Sequence, residues 1–236
     1  MGDKLLSLNV KTRSFEEFDI MGIMAKKNFW QRLKSDSRYR NRWVVGFSLG
    51  FNLLFIVTQF LDSILTGTFW ASAIGIYYTA IILAKILLLN GMKNKVDPER
   101  ERKLVLATGV ILLALYALLG GSTVQLVQQN PETAHSYPGA VITVAFTLYQ
   151  IVSAAVSIHR YRKENDLVLT ALKIVNLMAA IVAIVMAQTT VTMLLTSNSI
   201  IIQWITGVVG TLSSVGIALA SVVLIRMGLQ GKVVRK

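Results

Sequence analysis

Three amides and one lysine are the residues best placed for polar chemistry in this chain. Asn52, Gln150 and Asn176 each stand near the middle of a long apolar run, and Lys173 precedes Asn176 by three positions. That spacing puts Lys173 and Asn176 on one helix face. Amides both donate and accept hydrogen bonds, and a lysine brings three donors and a charge. Together they predict a site for a small polar or amphiphilic ligand, opening toward the outer side. Asn52, Gln150 and Asn176 would be its hydrogen-bonding groups and Lys173 its anion contact. A plainer reading meets the same demand that polar groups at membrane depth have a reason to be there. Each amide would bond a neighbouring helix, a contact worth about 0.6 kcal/mol on average in a membrane bundle. Lys85 and Lys173 would then snorkel to the interface.

Catalytic chemistry finds little in the sequence. There are two histidines, His135 and His159, and no cysteine, so thiolate nucleophiles and disulfides are excluded. Neither a His-Glu-x-x-His pair nor a Gly-x-x-x-x-Gly-Lys-Ser/Thr loop occurs. Asp62 is the lone carboxylate close to the membrane core, too few for a proton relay. The sequence predicts no catalytic residue, no metal and no cofactor. An enzyme acting on lipid would have to gather His159, Glu164 or Asp166 at the inner face.

The elements that must position these residues follow from composition. Of 236 residues, 54% are hydrophobic and 15% are charged, with a mean hydropathy of +0.59. A soluble domain carries roughly 25% charged residues. The apolar residues come in blocks of about twenty, the length a bilayer demands. Six spans are predicted: Trp43–Leu61, Thr68–Asn90, Leu104–Val127, Pro138–Ile158, Leu167–Leu195 and Ile200–Ile225. The fold class is therefore an all-α integral membrane protein, a six-transmembrane-helix bundle. Residues 1–42 form a basic cytoplasmic arm, 43–226 the transmembrane domain, and 227–236 a basic tail.

Charge orients the bundle. All 24 Lys and Arg except Lys85 and Lys173 lie before the first span, after the second, after the fourth, or in the tail. The segments near 62–67, 128–137 and 196–199 have none. Cytoplasmic loops retain Lys and Arg, so both termini are expected in the cytoplasm (N-in/C-in), at the cell membrane. The net charge of +12 then reflects topology, and no nucleic-acid partner is expected. Nothing near the N-terminus has the apolar core of a signal peptide.

In the arm, Ser14-Phe15-Glu16-Glu17 fits a capping box. Phe18, Met21, Ala25, Phe29 and Leu33 follow at helical spacing. An amphipathic helix on anionic lipid is one reading, with Lys26, Lys27, Phe29, Trp30 and Arg32 at the membrane surface. A soluble helix packed on the cytoplasmic loops is the other. Small-residue stripes at Gly46/Gly50, Ala179/Ala183/Ala187 and Gly207/Gly210/Ser214/Ala218 mark helix contacts or an oligomer interface. Gly120-Gly121 marks a kink or a packing point. Leu104-Val105-Leu106 and Leu167-Val168-Leu169 hint at a repeat of helical hairpins. Tyr77, Tyr78, Trp43, Trp70 and Trp204 suit an aromatic belt, and the Gln and Thr residues near the outer span ends suit the interface. The function these features favour is transport or ligand binding, alone, as a homo-oligomer or within a membrane complex. A scaffold or sensor docking partners at the basic face is the rival, and the lipid enzyme the third.

Overall fold

The computed structural model describes residues 37–66, 69–92, 97–128, 137–160, 166–195 and 199–231. The arm with Lys26, Lys27, Phe29, Trp30 and Arg32 lies outside the described residues. Among the described residues there are six helices: α1 (Ser37–Thr66), α2 (Phe69–Gly91), α3 (Pro98–Gln128), α4 (Tyr137–Arg160), α5 (Leu167–Leu195) and α6 (Ser199–Gln230). Five of them are long and apolar enough to cross a membrane: α1, α2, α4, α5 and α6. α3 is 31 residues long, and its sequence from Leu104 to Gln128 carries no charge.

Local chemistry sets several helix ends. Asp166 precedes α5, and its Oδ1 accepts the backbone N–H of Val168 at 2.9 Å and of Leu169 at 3.2 Å, satisfying two of the free donors at a helix start. Asp166→Ala is expected to lower stability by about 1 kcal/mol, read as a drop in the thermal unfolding midpoint. An unchanged midpoint would mean the cap contributes nothing. At α3, Asp97 takes the same role for Glu99 at 3.3 Å, and Pro98 sits first in the helix, where a missing N–H costs nothing. This cap starts α3 six residues before the predicted span. Glu99 pairs with Lys103 at 2.7 Å, and hydrogen bonding to Lys103 holds the Glu99 carboxyl below its usual range. Gly231 closes α6 in the left-handed region at φ 65°, its N–H reaching the Met227 carbonyl at 2.9 Å.

Within residues 47–236, contact registers show neighbouring helices running antiparallel. Phe60 meets Gly75 and Ser63 meets Ser72 between α1 and α2. Tyr78 meets Ala179, and Gly91 meets Val168, between α2 and α5. Thr147 meets Ala183, and Ser157 meets Asn176, between α4 and α5. Leu106 lies against Gly228 and Gly109 against Ile225 between α3 and α6. One end of this bundle therefore carries Arg100, Arg102, Lys103 and Arg226, and is called the basic end below.

α5 lies at the centre: 67% of its spanning window is buried, against 28% for α6. Ala179 and Ala183 are 0% exposed. Their small side chains let hydroxyls from neighbouring helices reach the α5 backbone. Tyr78 donates to the Ala179 carbonyl at 2.9 Å. The Thr147 hydroxyl shares its proton between the carbonyls of Thr143 at 2.8 Å and Ala183 at 2.9 Å. Close approach in lipid depends on such small residues.

The tightest approach is elsewhere, between α3 and α6. A Cβ at Gly228 would stand 2.8 Å from the Leu106 backbone, and one at Gly109 would stand 2.9 Å from the Ile225 nitrogen. Arg102 adds a clamp, donating to the carbonyls of Gly228 at 3.2 Å and of Leu229. A cation there also suits the negative end of the α6 dipole. Of the predicted stripes, Gly210 and Ser214 are buried in α6, while Gly46, Gly50, Gly120 and Gly121 face open space.

The surface is that of a membrane protein. Phe47, Leu54, Ile64, Leu148, Trp204 and Leu212 are all more than 50% exposed. An apolar cover this extensive is a liability in water and is ordinary against lipid. α1 makes the point alone, since Ser48, Asn52, Gln59 and Asp62 are buried while Phe47, Leu53, Leu54 and Leu61 face outward. Polar inside and apolar outside is the reverse of a soluble helix. The chain is an integral multi-pass membrane protein.

Candidate functional site

The buried polar residues of α1 and α4 form two facing stripes. On α1, Ser48, Asn52, Phe55, Gln59 and Asp62 recur every three or four residues and are all buried. On α4, Thr143, Thr147, Gln150, Ala154 and Ser157 do the same, with Phe146 beside Thr147. Such spacing keeps each set on one face.

The stripes meet at two of the predicted residues. Gln150 donates from Nε2 to Asn52 Oδ1 at 2.5 Å, and both residues are 0% exposed. Counted along the helices at 1.5 Å per residue, each lies about 3 Å from the centre of its apolar segment. Asn52 Nδ2 reaches back one turn to Ser48 Oγ at 3.5 Å, a distance at the limit of hydrogen bonding. The same Ser48 Oγ accepts from Lys85 Nζ at 2.8 Å. A continuous polar chain thus runs Lys85–Ser48–Asn52–Gln150 across α2, α1 and α4.

Lys85 is the residue that sequence reasoning misplaced. It is 0% exposed, and its amine turns to Ser48 instead of snorkelling to water. Its Cα lies about 6 Å from the middle of the α2 apolar segment. Among the described residues Ser48 Oγ is its one acceptor, and no ion pair reaches it. Asp62 lies about 21 Å farther along α1 than Ser48. The signal for Lys85 was its register: Ile74, Tyr78, Ile81, Lys85, Leu88 and Met92 share one buried stripe. α2 is apolar all round, so that stripe had no visible contrast in the sequence.

The other predicted residues go elsewhere. Asn176 donates to Ser157 Oγ at 2.8 Å, and Ser157 passes its own proton to the Ser153 carbonyl at 2.8 Å. That pair sits two turns of α4 closer to the basic end than Gln150 and is a separate contact. Lys173 is partly exposed and does not join the chain. For an enzyme, His159 is exposed, Glu164 lies outside the described residues, and Asp166 is engaged as a helix cap.

One turn from the Asn52–Gln150 bond, away from the basic end, three aromatic rings close the centre. Phe55 and Phe146 stack with centroids 3.7 Å apart and planes 1° from parallel. Tyr78 stands edge-on to both at 5.2 Å. Edge-to-face contacts such as those of Tyr78 add about 0.5–1.5 kcal/mol beyond their area burial; the parallel Phe55–Phe146 pair is closer than that geometry. Tyr77 and Tyr78 are thus core residues, 1% and 0% exposed, and not belt residues. Trp43 and Trp204 are exposed as a belt requires.

Beyond the rings a second polar layer begins. Gln59 lies one turn past Phe55, Thr143 one turn past Phe146, and Tyr77 beside Tyr78. Gln59 Oε1, Thr143 Oγ1 and Tyr77 OH are buried without a hydrogen-bond partner, as are Thr189 Oγ1, Thr190 Oγ1 and Thr206 Oγ1 farther out. Gln59, Thr189 and Thr190 are inside the bundle and not interfacial. On the basic side of the rings, Gln150 Oε1 and Asn176 Oδ1 are also without partners. An unmade hydrogen bond at a buried atom costs about 1–3 kcal/mol, and ordered water or a bound molecule can meet these atoms where the described residues do not. Among the described residues no cluster of His, Asp and Glu could hold a metal. No family model, curated protein or solved structure matches the chain.

Proposed function

We propose that this chain is a six-span membrane protein, N-in/C-in, that binds a small polar or amphiphilic ligand and passes it between two polar layers of its bundle. The observation that carries the reading is the aromatic partition of Phe55, Tyr78 and Phe146, with buried, unsatisfied polar atoms on both sides. A bundle built only for support has no use for such atoms and would replace them with apolar groups at no loss. With α3 as the sixth crossing, through its uncharged stretch Leu104–Gln128, both termini of the chain fall on the basic, cytoplasmic side in this reading. The arm at Lys26, Lys27, Phe29, Trp30 and Arg32 rests on anionic lipid in this reading.

A scaffold docking partners at its basic face is the second reading. The Asn52–Gln150 and Asn176–Ser157 bonds favour it, because paired amides are what helix association alone requires. Lys85 counts against it. A lysine confined to the interior with one acceptor is costly to bury, charged or neutral, and a scaffold gains nothing by keeping it.

Two experiments test the proposal. The chain has no cysteine, so single cysteines can be introduced without background labelling. A membrane-impermeant maleimide added to intact cells is expected to label a cysteine in the 129–136 segment and to leave one in 93–96 unlabelled. The opposite pattern overturns the topology. Purified protein is then screened by thermal unfolding against metabolites and amphiphiles. A ligand at 100 times its dissociation constant adds about 2.7 kcal/mol, and no response across a broad panel overturns ligand binding.

A further inference from the structure

We infer that the ligand carries an anionic group, a carboxylate or a phosphate, and that Lys85 holds it. The inference rests on the ligand-binding reading and names its chemical class. An ammonium has three donors, and Lys85 uses one, on Ser48 Oγ at 2.8 Å, while 0% exposed. Its remaining donors have no acceptor, and an ammonium there would have no counter-ion, among the described residues. Three hydrogen bonds away, Gln150 Oε1 is a buried acceptor with no donor.

One chemical group answers both ends. A carboxylate or phosphate oxygen accepts from the Lys85 ammonium, and a hydroxyl or amide N–H on the same molecule donates to Gln150. An anion also holds the buried amine in its charged form, which water and a neutral alcohol do not. Ser48 and Asn52 are the spacing elements, setting the distance between cation and amide along one face of α1. The rings of Phe55, Tyr78 and Phe146 lie one turn farther out, buried against one another, and octyl probes test whether an apolar tail is accepted with the anion. Lys173, the cation that sequence spacing selected, is partly exposed and outside this chain. It takes no part.

The test uses the full chain in nanodiscs of zwitterionic lipid, with thermal unfolding as the readout. The probes are octanoate, octyl phosphate, octanol, acetate and inorganic phosphate, against wild type, Lys85→Gln, Lys85→Arg and Lys173→Gln. A hydrogen bond to a charged group is worth about 1.5–3 kcal/mol, so octanoate or octyl phosphate is expected to bind about tenfold or more tightly than octanol. Lys85→Gln removes that advantage, Lys85→Arg retains part of it, and Lys173→Gln leaves it intact. Stabilisation by acetate or inorganic phosphate alone supports the anion site and assigns it to a free ion instead of an amphiphile headgroup. Equal stabilisation by octanol and octanoate overturns the anion and leaves ligand binding standing. Loss of the advantage in Lys173→Gln and not in Lys85→Gln overturns the assignment to Lys85. No stabilisation by any probe overturns both. The wild-type comparison of octanoate with octanol decides the matter even where Lys85→Gln does not fold.

Discussion

Gly228→Val is expected to destabilise the bundle severely. A Cβ there would lie 2.8 Å from the Cα, Cβ and N of Leu106. Two of those three atoms are backbone, which cannot turn aside as a flexible side chain can. α3 and α6 must therefore separate, and separation also strips Arg102 from the Gly228 and Leu229 carbonyls. Overpacking of a tight contact costs typically 1–3 kcal/mol, and the loss of the clamp adds to it. Set against a typical total of about 5–15 kcal/mol, the variant is expected to unfold at a much lower temperature in detergent or to be absent from the membrane. Gly120→Ala is the control, because its Cβ meets nothing within 4 Å. Wild-type stability in Gly228→Val would show that α3 and α6 are not this close.

The second large effect is expected at the Asn52–Gln150 bond. Gln150→Leu removes the donor to Asn52 Oδ1 and leaves that buried oxygen unpaired, at a cost of about 1–3 kcal/mol. Asn52→Leu leaves Gln150 Nε2 in the same position and also frees Ser48 from its weaker contact. The double variant removes both orphans at once. It is expected to be less destabilised than the sum of the singles by about 0.5–3 kcal/mol. Strict additivity would mean that the two side chains do not touch. Much smaller single effects, near the 0.6 kcal/mol average of membrane hydrogen bonds, would mean that other partners replace the lost one.

Much of the architecture was legible from the chain alone because bilayers impose coarse rules. Leu167–Leu195 was predicted to its final residues, since an apolar run with Asp166 immediately before it marks both its start and its extent. α3 begins earlier than hydropathy suggests, because Asp97 and Pro98 start a helix in water before it reaches oil. Residue type marks Asn52 and Gln150 as polar groups in apolar runs that need a partner, and in the fold each is the other's partner. Asn176 bonds Ser157 instead of that pair, and of the two lysines within spans it is Lys85 that is buried while Lys173 is partly exposed. Tyr77 and Tyr78 were placed at the interface on residue type, although their rings fill the core.

The amino-acid sequence by itself determined that the chain is a membrane protein, where its long helices lie, and which polar residues must be accounted for. Those follow from local quantities: the length of an apolar run, the positions of lysine and arginine, the residue before a helix. Only the tertiary structure decided which way each helix turns. A helix apolar on all sides carries no stripe to orient it, and in lipid no hydrophobic force distinguishes inside from outside. Lys85 could therefore be read as surface or centre with equal ease until Ser48 was found 2.8 Å from its amine.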